Sequence, residues 1–347
     1  MKSKVIFQDI EALVSEFAPN LTLLSDKEIL VTGGNGFIPS YIIDTISTFN
    51  SFLERSCKIT IMNRSRITSS SRLSHLIGDP NVTFISQDVG KKFDIPGSPQ
   101  IIIHAASRSN PISFLDKPID TIYTNVGGMR TLLDYSKNNA LDAFLFFSSS
   151  EVYGDPPPEN IPTPETYQGR LDCLGDMACY SESKRLCETL GRAFFKEYGV
   201  PFQSLRIFHT FGPGIRNDGK TITNLFYQGM NEGKILLRDS GASKRSYSYI
   251  SDTVRGIFYV LFKGIRGEAY NIGTDLNNVS VKEMAEMIGG SLGGVPVTVP
   301  QDYSSKTNPI LNRAPDISKL KSFGFKPKFQ LKEGIERLRD HYLEVGF

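Results

Sequence analysis

Six short apolar runs, at 29–32, 58–62, 82–85, 101–104, 143–148 and 202–207, alternate with helical patterns at 37–53, 69–77, 119–138 and 178–198. Such runs are mostly apolar, as strands covered on both faces are, and the helices between them supply the cover. The alternation predicts an α/β chain with a doubly wound parallel sheet of the Rossmann type. Ligands of such sheets lie at the carboxyl ends of the strands, so residues just after each strand become candidates for function. After residue 206 the alternation loses regularity. "ILLRDSGASKRSYSYISD" reads as short strands with a turn, and 280–288 and 331–345 read as helices, predicting a smaller, discontinuous α/β lobe.

Composition excludes several classes. Charged residues make up 22% of the 347 residues and the net charge is +2, with lysine and arginine scattered, so no nucleic-acid or membrane-surface partner is expected. No stretch approaches the roughly 18 apolar residues of a membrane span. Ahead of the first strand, Ile6, Ile10, Leu13, Val14 and Phe17 follow a helical period, and acidic residues interrupt the segment too often for a signal peptide. Residues 1–27 are therefore expected to form a helical extension packed on the body. Cys57, Cys173, Cys179 and Cys187 include no Cys-x-x-Cys pair and no metal spacing with histidine. Free thiols, no metal site and a reducing cytoplasm are the expectation. The "DPPPENIPTPET" stretch at 155–166 reads as a surface loop.

The first strand runs into "VTGGNGFIPS". Gly33 permits a tight turn, and Gly36 lets a pyrophosphate approach the backbone at the amino terminus of the following helix, with Asn35, Phe37 and Ile38 around it. Pro39 stands where a third glycine is usual. A proline in the first helical turn lacks an N–H that has no intrahelical partner anyway, so the turn remains compatible with a dinucleotide. The second strand ends at Asn63-Arg64, where an NAD site usually offers a carboxylate to the ribose. Asparagine can bond a ribose hydroxyl, while Arg64 or Arg66 can pair with a 2′-phosphate; NAD and NADP both remain open. The dinucleotide-binding domain is assigned to 28–206 plus 247–272, and the second lobe to 207–246 plus 273–347.

Tyr180 and Lys184, in "ACYSESKRLCETL", lie four apart on one helix face, downstream of a strand ending in "FLFFSSSEVYG". A phenol titrates near 10, and lowering it by about three units needs roughly 4 kcal/mol of differential stabilisation. A neighbouring ammonium and a cationic nicotinamide ring are plausible sources. Tyr180 then serves as base toward a sugar hydroxyl that Ser149 holds, and Glu151 points to the same side of an extended chain. The second Tyr-x-x-x-Lys pair, Tyr259/Lys263, sits in an apolar run that reads as a packing helix. His104 reads as a strand-end histidine, and His75 and His341 fall in no motif.

In order, "TGGNGFI", "QDV", "HAAS", Asn125, "SSSEVYG", "YSESK", "RIFHTFGPG", "RSYSYISD" and "NRAPDISKLK" resemble the extended short-chain dehydrogenase/reductases that modify nucleotide sugars, over residues 28–343. The resemblance implies a bound NAD, reduced and reoxidised within one turnover, a nucleotide-sugar substrate held by the second lobe, and a homodimer paired through 119–138 and 178–198, where Leu186, Leu190, Phe194 and Phe195 widen the apolar face. It implies that Asp88 bonds adenine and that Val89, Ala105, Ala106 and Asn125 also line the cofactor. Arg108, Ser150, His209, Lys220, Asn224, Arg245 and Arg313 fall on the substrate side. Within the family, "SSSEVYGDP", "YQGRLDCLGDMACYSESKR", "RIFHTFGP" and "NDGKTITNL" are most similar to UDP-glucuronate decarboxylases. That subgroup implies that Glu151 assists at the sugar ring and that Arg313 acts near the carboxylate as the acid. The 4,6-dehydratases share the Ser-Ser-Glu-x-Tyr-Gly element, and 4-epimerases and 4-ketosugar reductases share the Ser/Tyr/Lys set. A non-catalytic dinucleotide-binding module is the alternative of another class. Met177, His209 and Asn63 depart from the decarboxylase pattern, which commonly has arginine, asparagine and an acid there.

Overall fold

In the first strand, β1 (Glu28–Thr32), Ile29 and Val31 face one core and Leu30 the other. The same division continues through β2 (Lys58–Asn63), β4 (Ile101–His104), β5 (Ala143–Ser149) and β6 (Phe202–Ile207), while β3 (Val82–Ser86) sends Val82 and Phe84 to the first core. The computed structural model describes residues 3–108, 111–217, 219–300 and 312–346, with backbone alone at 111–113. On one face lie the helices α1 (Lys4–Leu21) and α2 (Phe37–Asn50). The other face is covered by α4 (Pro118–Ser136) and α5 (Ala178–Tyr198), with the short α3 (Pro111–Asp116) leading into α4.

Beyond β6 come β7 (Thr210–Phe211), α6 (Thr221–Tyr227), β8 (Ile235–Leu236), β9 (Lys244–Ser246), β10 (Ser248–Tyr249) and α7 (Ile250–Lys263). The chain continues through β11 (Ala269–Ile272), β12 (Asn278–Ser280), α8 (Val281–Ser291), β13 (Val297–Thr298), β14 (Asn312–Arg313), α9 (Ser318–Lys321) and α10 (Leu331–Val345). Seven parallel strands run in the order β11-β6-β5-β4-β1-β2-β3. The order reverses beside β1, where the chain leaves for β2 and later returns at β4, opening a crevice at the carboxyl ends of both. The predicted doubly wound sheet is thus present, gains β11 at its edge, and has α7 packed beside α1 and α2. Outside the large sheet, β12-β9-β14 and the pairs β10-β7 and β13-β8 are packed by α6, α8 and α10.

Two expectations need correction. Residues 69–77 are not a helix; among them only Ser74–Leu76 forms a single 3-10 turn. Serine hydroxyls bond locally there, Ser71 Oγ accepting from the Thr68 amide at 3.0 Å. The amide of Arg72 donates to Asn35 Oδ1 at 3.1 Å, and these bonds compete with the helical ladder. The helix predicted to residue 53 stops at Asn50, whose side chain takes both backbone groups of Cys57 at 2.8 and 2.9 Å and fixes the turn into β2.

The amphipathic α1 buries Ile6, Ile10, Leu13 and Phe17 as its period predicts. It is also held by charge. Asp9 takes Arg337 at 2.6 Å and the Tyr249 hydroxyl at 2.7 Å, and Glu16 takes Arg255 at 2.8 Å and Lys328 at 2.7 Å.

Candidate active site

The glycine-rich turn sits at the switch point. Gly33 has φ +70°, and a Cβ on it would stand 2.8 Å from the Ala106 backbone, so only glycine fits. The Gly36 amide donates to Gly33 O at 2.8 Å, and Gly36 caps α2 without a side chain. Phe37 and Ile38 open the helix with Pro39 third, inside the first turn where its missing N–H has no intrahelical partner. Close helix–strand approach falls instead to Gly34, where a Cβ would meet Ile61 at 2.7 Å and Ile43 at 2.8 Å. Asn63, ending β2, accepts the Asn35 amide at 2.9 Å through Oδ1, while its buried Nδ2 has no partner. An uncapped helix amino terminus for a pyrophosphate and a buried, unspent N–H for a ribose hydroxyl fit a nicotinamide dinucleotide.

The other residues expected to line that cofactor are distributed differently. Val89 is buried, and Ala105 and Ala106 follow β4, with the Ala105 amide on Thr32 O at 3.1 Å. Asp88 Oδ1 caps its own turn by accepting the Gly90 amide at 2.9 Å. Asn125 is engaged on both sides, accepting from Ser107 Oγ and donating to Ser183 Oγ, each at 2.8 Å. Arg64 is exposed, and sequence reasoning missed Arg72, whose Nη1 donates to Asn35 O at 3.0 Å.

β5 ends in Ser149 and leads into the turn that carries Glu151. Ser149 caps the 3-10 turn Ser150–Tyr153, its Oγ accepting the Glu151 amide at 3.2 Å. It also hydrogen-bonds the Tyr180 phenol. Tyr180 opens α5, stacked on Phe114 with centroids 5.0 Å apart. Burial pushes its phenol up to about 12, opposed by Ser149 and reinforced by the Glu151 carboxylate. Lys184 lies one turn on, buried, with Nζ on Phe147 O at 2.6 Å and 5.8 Å from the Tyr180 ring centroid. Burial draws its ammonium down to about 8, opposed by Cys187 and Glu188. Its hydrogen bond thus goes to a carbonyl, and the phenol is raised rather than lowered.

Across the crevice stands Arg313 on β14, in register with Arg245 on β9. Arg313 is 3% exposed; Nη1 pairs with the Glu151 carboxylate, Nη2 donates to Gly154 O at 3.0 Å, and Nε is buried without a partner. His209 lies beside this pair, its Nε2 likewise buried and unpartnered. Burial draws it down to about 4, helped by Arg313 and Arg245 and opposed by Glu151. Burial and Arg313 also draw the Arg245 guanidinium down. Ser150 is buried in the turn, and Lys220 caps α6 ahead of Asn224. Arg108, after β4, pairs with Asp120 at 3.4 Å and leaves Nε buried and unpartnered. Asp218, in the "NDGKTITNL" motif, lies outside the described residues.

A brace behind the turn went unforeseen. Glu188 on α5 accepts from Ser148 Oγ at 2.6 Å and from Arg206 at 2.7 Å, and Arg206 donates to Tyr153 OH at 3.0 Å. Among the described residues no group of three His, Cys, Asp or Glu side chains is arranged to hold a metal, and no helix is long and apolar enough to cross a membrane. His104 is buried against Thr32 at 2.7 Å, as a strand-end residue would be.

Residues 29–273 match the model of the NAD dependent epimerase/dehydratase family. The chain is 31% identical to UDP-glucuronic acid decarboxylase 1 of Xenopus tropicalis over 95% of its own length and 76% of that protein. It is 31% identical to UDP-glucuronic acid decarboxylase 6 of Arabidopsis thaliana over 93% of its length and 91% of that protein. Among solved structures, a dTDP-glucose 4,6-dehydratase of Bacillus anthracis in complex with NAD superposes with TM-score 0.73 at 25% identity, over 92% of this chain and 97% of that one. The UDP-glucose 4-epimerase of Thermotoga maritima, at 23% identity and TM-score 0.77 over 92% and 99% of the two chains, shares the fold. With a glycine turn, a Ser/Tyr/Lys set and these likenesses together, the chain belongs to the NAD dependent epimerase/dehydratase family.

Proposed function

We propose that the protein oxidises a nucleotide sugar at carbon 4 and then decarboxylates it, with UDP-glucuronate as substrate. The observation that carries this is the buried Nε–H of Arg313, unpartnered in a side chain whose Nη1 pairs with Glu151. A buried guanidinium N–H without an acceptor costs about 1–3 kcal/mol, which an anionic substrate group relieves. The decarboxylase relatives support a carboxylate as that group.

A nicotinamide dinucleotide held at the Gly33–Gly36 turn and Asn63 would supply the hydride chemistry at carbon 4, accepting a hydride there and giving it back. With its raised phenol drawn down by the cationic ring of that dinucleotide, Tyr180 takes the proton of the 4-hydroxyl while Ser149 holds its oxygen; Lys184, tied to Phe147 O, fixes the phenol's surroundings. The ketone at carbon 4 stabilises charge developing at carbon 5, so the carbon 5–carboxylate bond breaks and carbon dioxide leaves. Arg313 grips the carboxylate, and Glu151 and Arg313 stand on the side from which carbon 5 regains a proton. Incubation with UDP-glucuronate and product mass test this: loss of carbon dioxide is expected from the wild type and none from Tyr180→Phe.

His209 and Met177 favour one second reading. Asparagine and arginine are usual there in decarboxylases, and a neutral, buried His209 next to Arg313 suits a different carbon 5 substituent. From a nucleotide hexose, Glu151 would take the carbon 5 proton and water would leave, a 4,6-dehydration. A product of unchanged mass would mean 4-epimerisation.

The substrate lobe is 207–246 plus 273–347, since His209, Arg245 and Arg313 all come from it. NAD is the cofactor, with NADP admitted because Asn63 puts no carboxylate at the ribose. A homodimer is supported by Ile119, Ile122 and Tyr123 of α4 and Leu186 of α5, all exposed. Leu190, Phe194 and Phe195 contribute less, being half-buried against the core. A cytoplasmic location is supported by four unpaired cysteines.

A further inference from the structure

We infer that His341 and Ser3 are positioning residues, a latch through which the amino-terminal helix holds the 212–217 loop against the glycine-rich turn and so sets how tightly a dinucleotide is retained. This rests on the reading that the turn holds a dinucleotide.

One backbone amide fixes the state of the histidine. The Gly214 N–H can only donate, and it points at His341 Nε2 at 3.1 Å. Nε2 must therefore be bare, the ring neutral, and the proton on Nδ1, which donates to Ser3 Oγ at 2.7 Å. Ser3 is wholly buried and is the amino-terminal cap of α1, its Oγ also accepting the Ile6 amide at 3.4 Å. Gly214 has φ +85°, and Ile6 of α1 lies 3.9 Å from where a Cβ would stand, so the helix packs directly under the loop. α1 and α10 thus meet the loop at one histidine.

The other side of Gly214 faces the cofactor turn. Its carbonyl accepts Arg72 Nε at 2.9 Å, and Arg72 Nη1 reaches Asn35 O at 3.0 Å. The Asn35 amide donates to Asn63 Oδ1 at 2.9 Å, and this bond aims the unpartnered Asn63 Nδ2. Tyr41, on α2, adds a bond from its hydroxyl to Pro213 O at 3.1 Å. An unbroken hydrogen-bonded chain therefore runs Ser3–His341–Gly214–Arg72–Asn35–Asn63. Arg72 belongs to a non-helical stretch, so its direction depends on these tertiary bonds rather than on a local ladder. None of the latch residues belongs to the Ser149/Tyr180/Lys184 set.

The test uses the full-length protein loaded with NAD in its reduced, fluorescent form, diluted into excess oxidised NAD, with dissociation followed by the fluorescence of the reduced nicotinamide. His341→Ala should release NAD about five- to tenfold faster, the loss of roughly one buried hydrogen bond, with turnover at saturating NAD unchanged. His341→Gln, which can accept from Gly214 and donate to Ser3, should restore slow release. Ser3→Gly, which keeps most of the helix-cap stability, should fall between and carries the test if His341→Ala does not fold. A lower unfolding midpoint with release rates within twofold of wild type in the folded variants would overturn the latch alone. A wild type that neither carries nor binds NAD would overturn the dinucleotide reading and the latch with it.

Discussion

Removing Arg313 tests whether it and Glu151 form one functional unit. The Arg313 side chain is 3% exposed and the Glu151 side chain 23%, so solvent reaches only the carboxylate. At contact distances and an effective dielectric of about 20, two unit charges attract by roughly 4 kcal/mol. Desolvation and the exposed part of Glu151 offset about half, leaving a coupling of roughly 2 kcal/mol. Arg313→Met also strips the donor from Gly154 O, a further loss of about 1 kcal/mol. Arg313→Met should therefore cost roughly 3 kcal/mol, Glu151→Gln roughly 1–2 kcal/mol, and the double variant clearly less than their sum. Urea unfolding at pH 7 measures all four corners of the cycle. Additivity within about 0.5 kcal/mol would show that the contact carries no energy of its own and would refute the reasoning. The same samples report on substrate. UDP-glucuronate should raise the unfolding free energy of the wild type by mass action and leave Arg313→Met unmoved. An equal rise in both would remove Arg313 from the carboxylate.

Stability should also fall on acidification, because burial keeps His104 near 3 and His209 and His341 near 4, below the ordinary value of about 6.5. The unfolded chain binds these protons first, so stability is lost as pH drops from about 6.5 toward 4, by up to about 4 kcal/mol per pH unit if all three titrate together. An unfolding free energy unchanged between pH 7 and 5 would contradict this. Asn63→Asp keeps the bond to the Asn35 amide and adds a charge toward the ribose; the ratio of NADP to NAD dissociation constants should rise roughly tenfold, and an unchanged ratio would detach Asn63 from cofactor choice. Ile122→Glu with Tyr123→Glu, placed where the side chains are 40% and 66% exposed, should halve the mass seen by light scattering without unfolding the chain.

What the sequence made legible was local. The strand runs showed themselves because burial on both faces favours apolar residues at successive positions, and β1 through β6 fall where those runs lie. Gly33, Ser149, Glu151, Tyr180 and Lys184 showed themselves because each sits at a fixed offset from a strand end or on one helix face. The 69–77 stretch misled for a related reason. Its spacing allows a helix, but its serines and the Arg72 amide find partners elsewhere, one of them Asn35, distant in sequence and close in space.

The remainder of the site is long-range, and this is where one sequence says least. Arg313 meets Glu151 across 162 positions, Glu188 of α5 meets Arg206 of β6 across 18, and His341 meets Ser3 across 338. No periodicity encodes such pairs, since each partner alone reads as an ordinary polar residue. Their chemistry becomes visible only once the fold removes them from water and leaves a few atoms unsatisfied. The Nε of Arg313, the Nε2 of His209 and the Nδ2 of Asn63 are three such atoms, on the substrate and cofactor sides of one crevice. A folded chain tolerates buried donors without acceptors at about 1–3 kcal/mol each, a sizeable share of a typical net stability of 5–15 kcal/mol. Ligands that supply the missing partners recover that cost on binding. In the proposed reading these three atoms are where substrate and dinucleotide would bind.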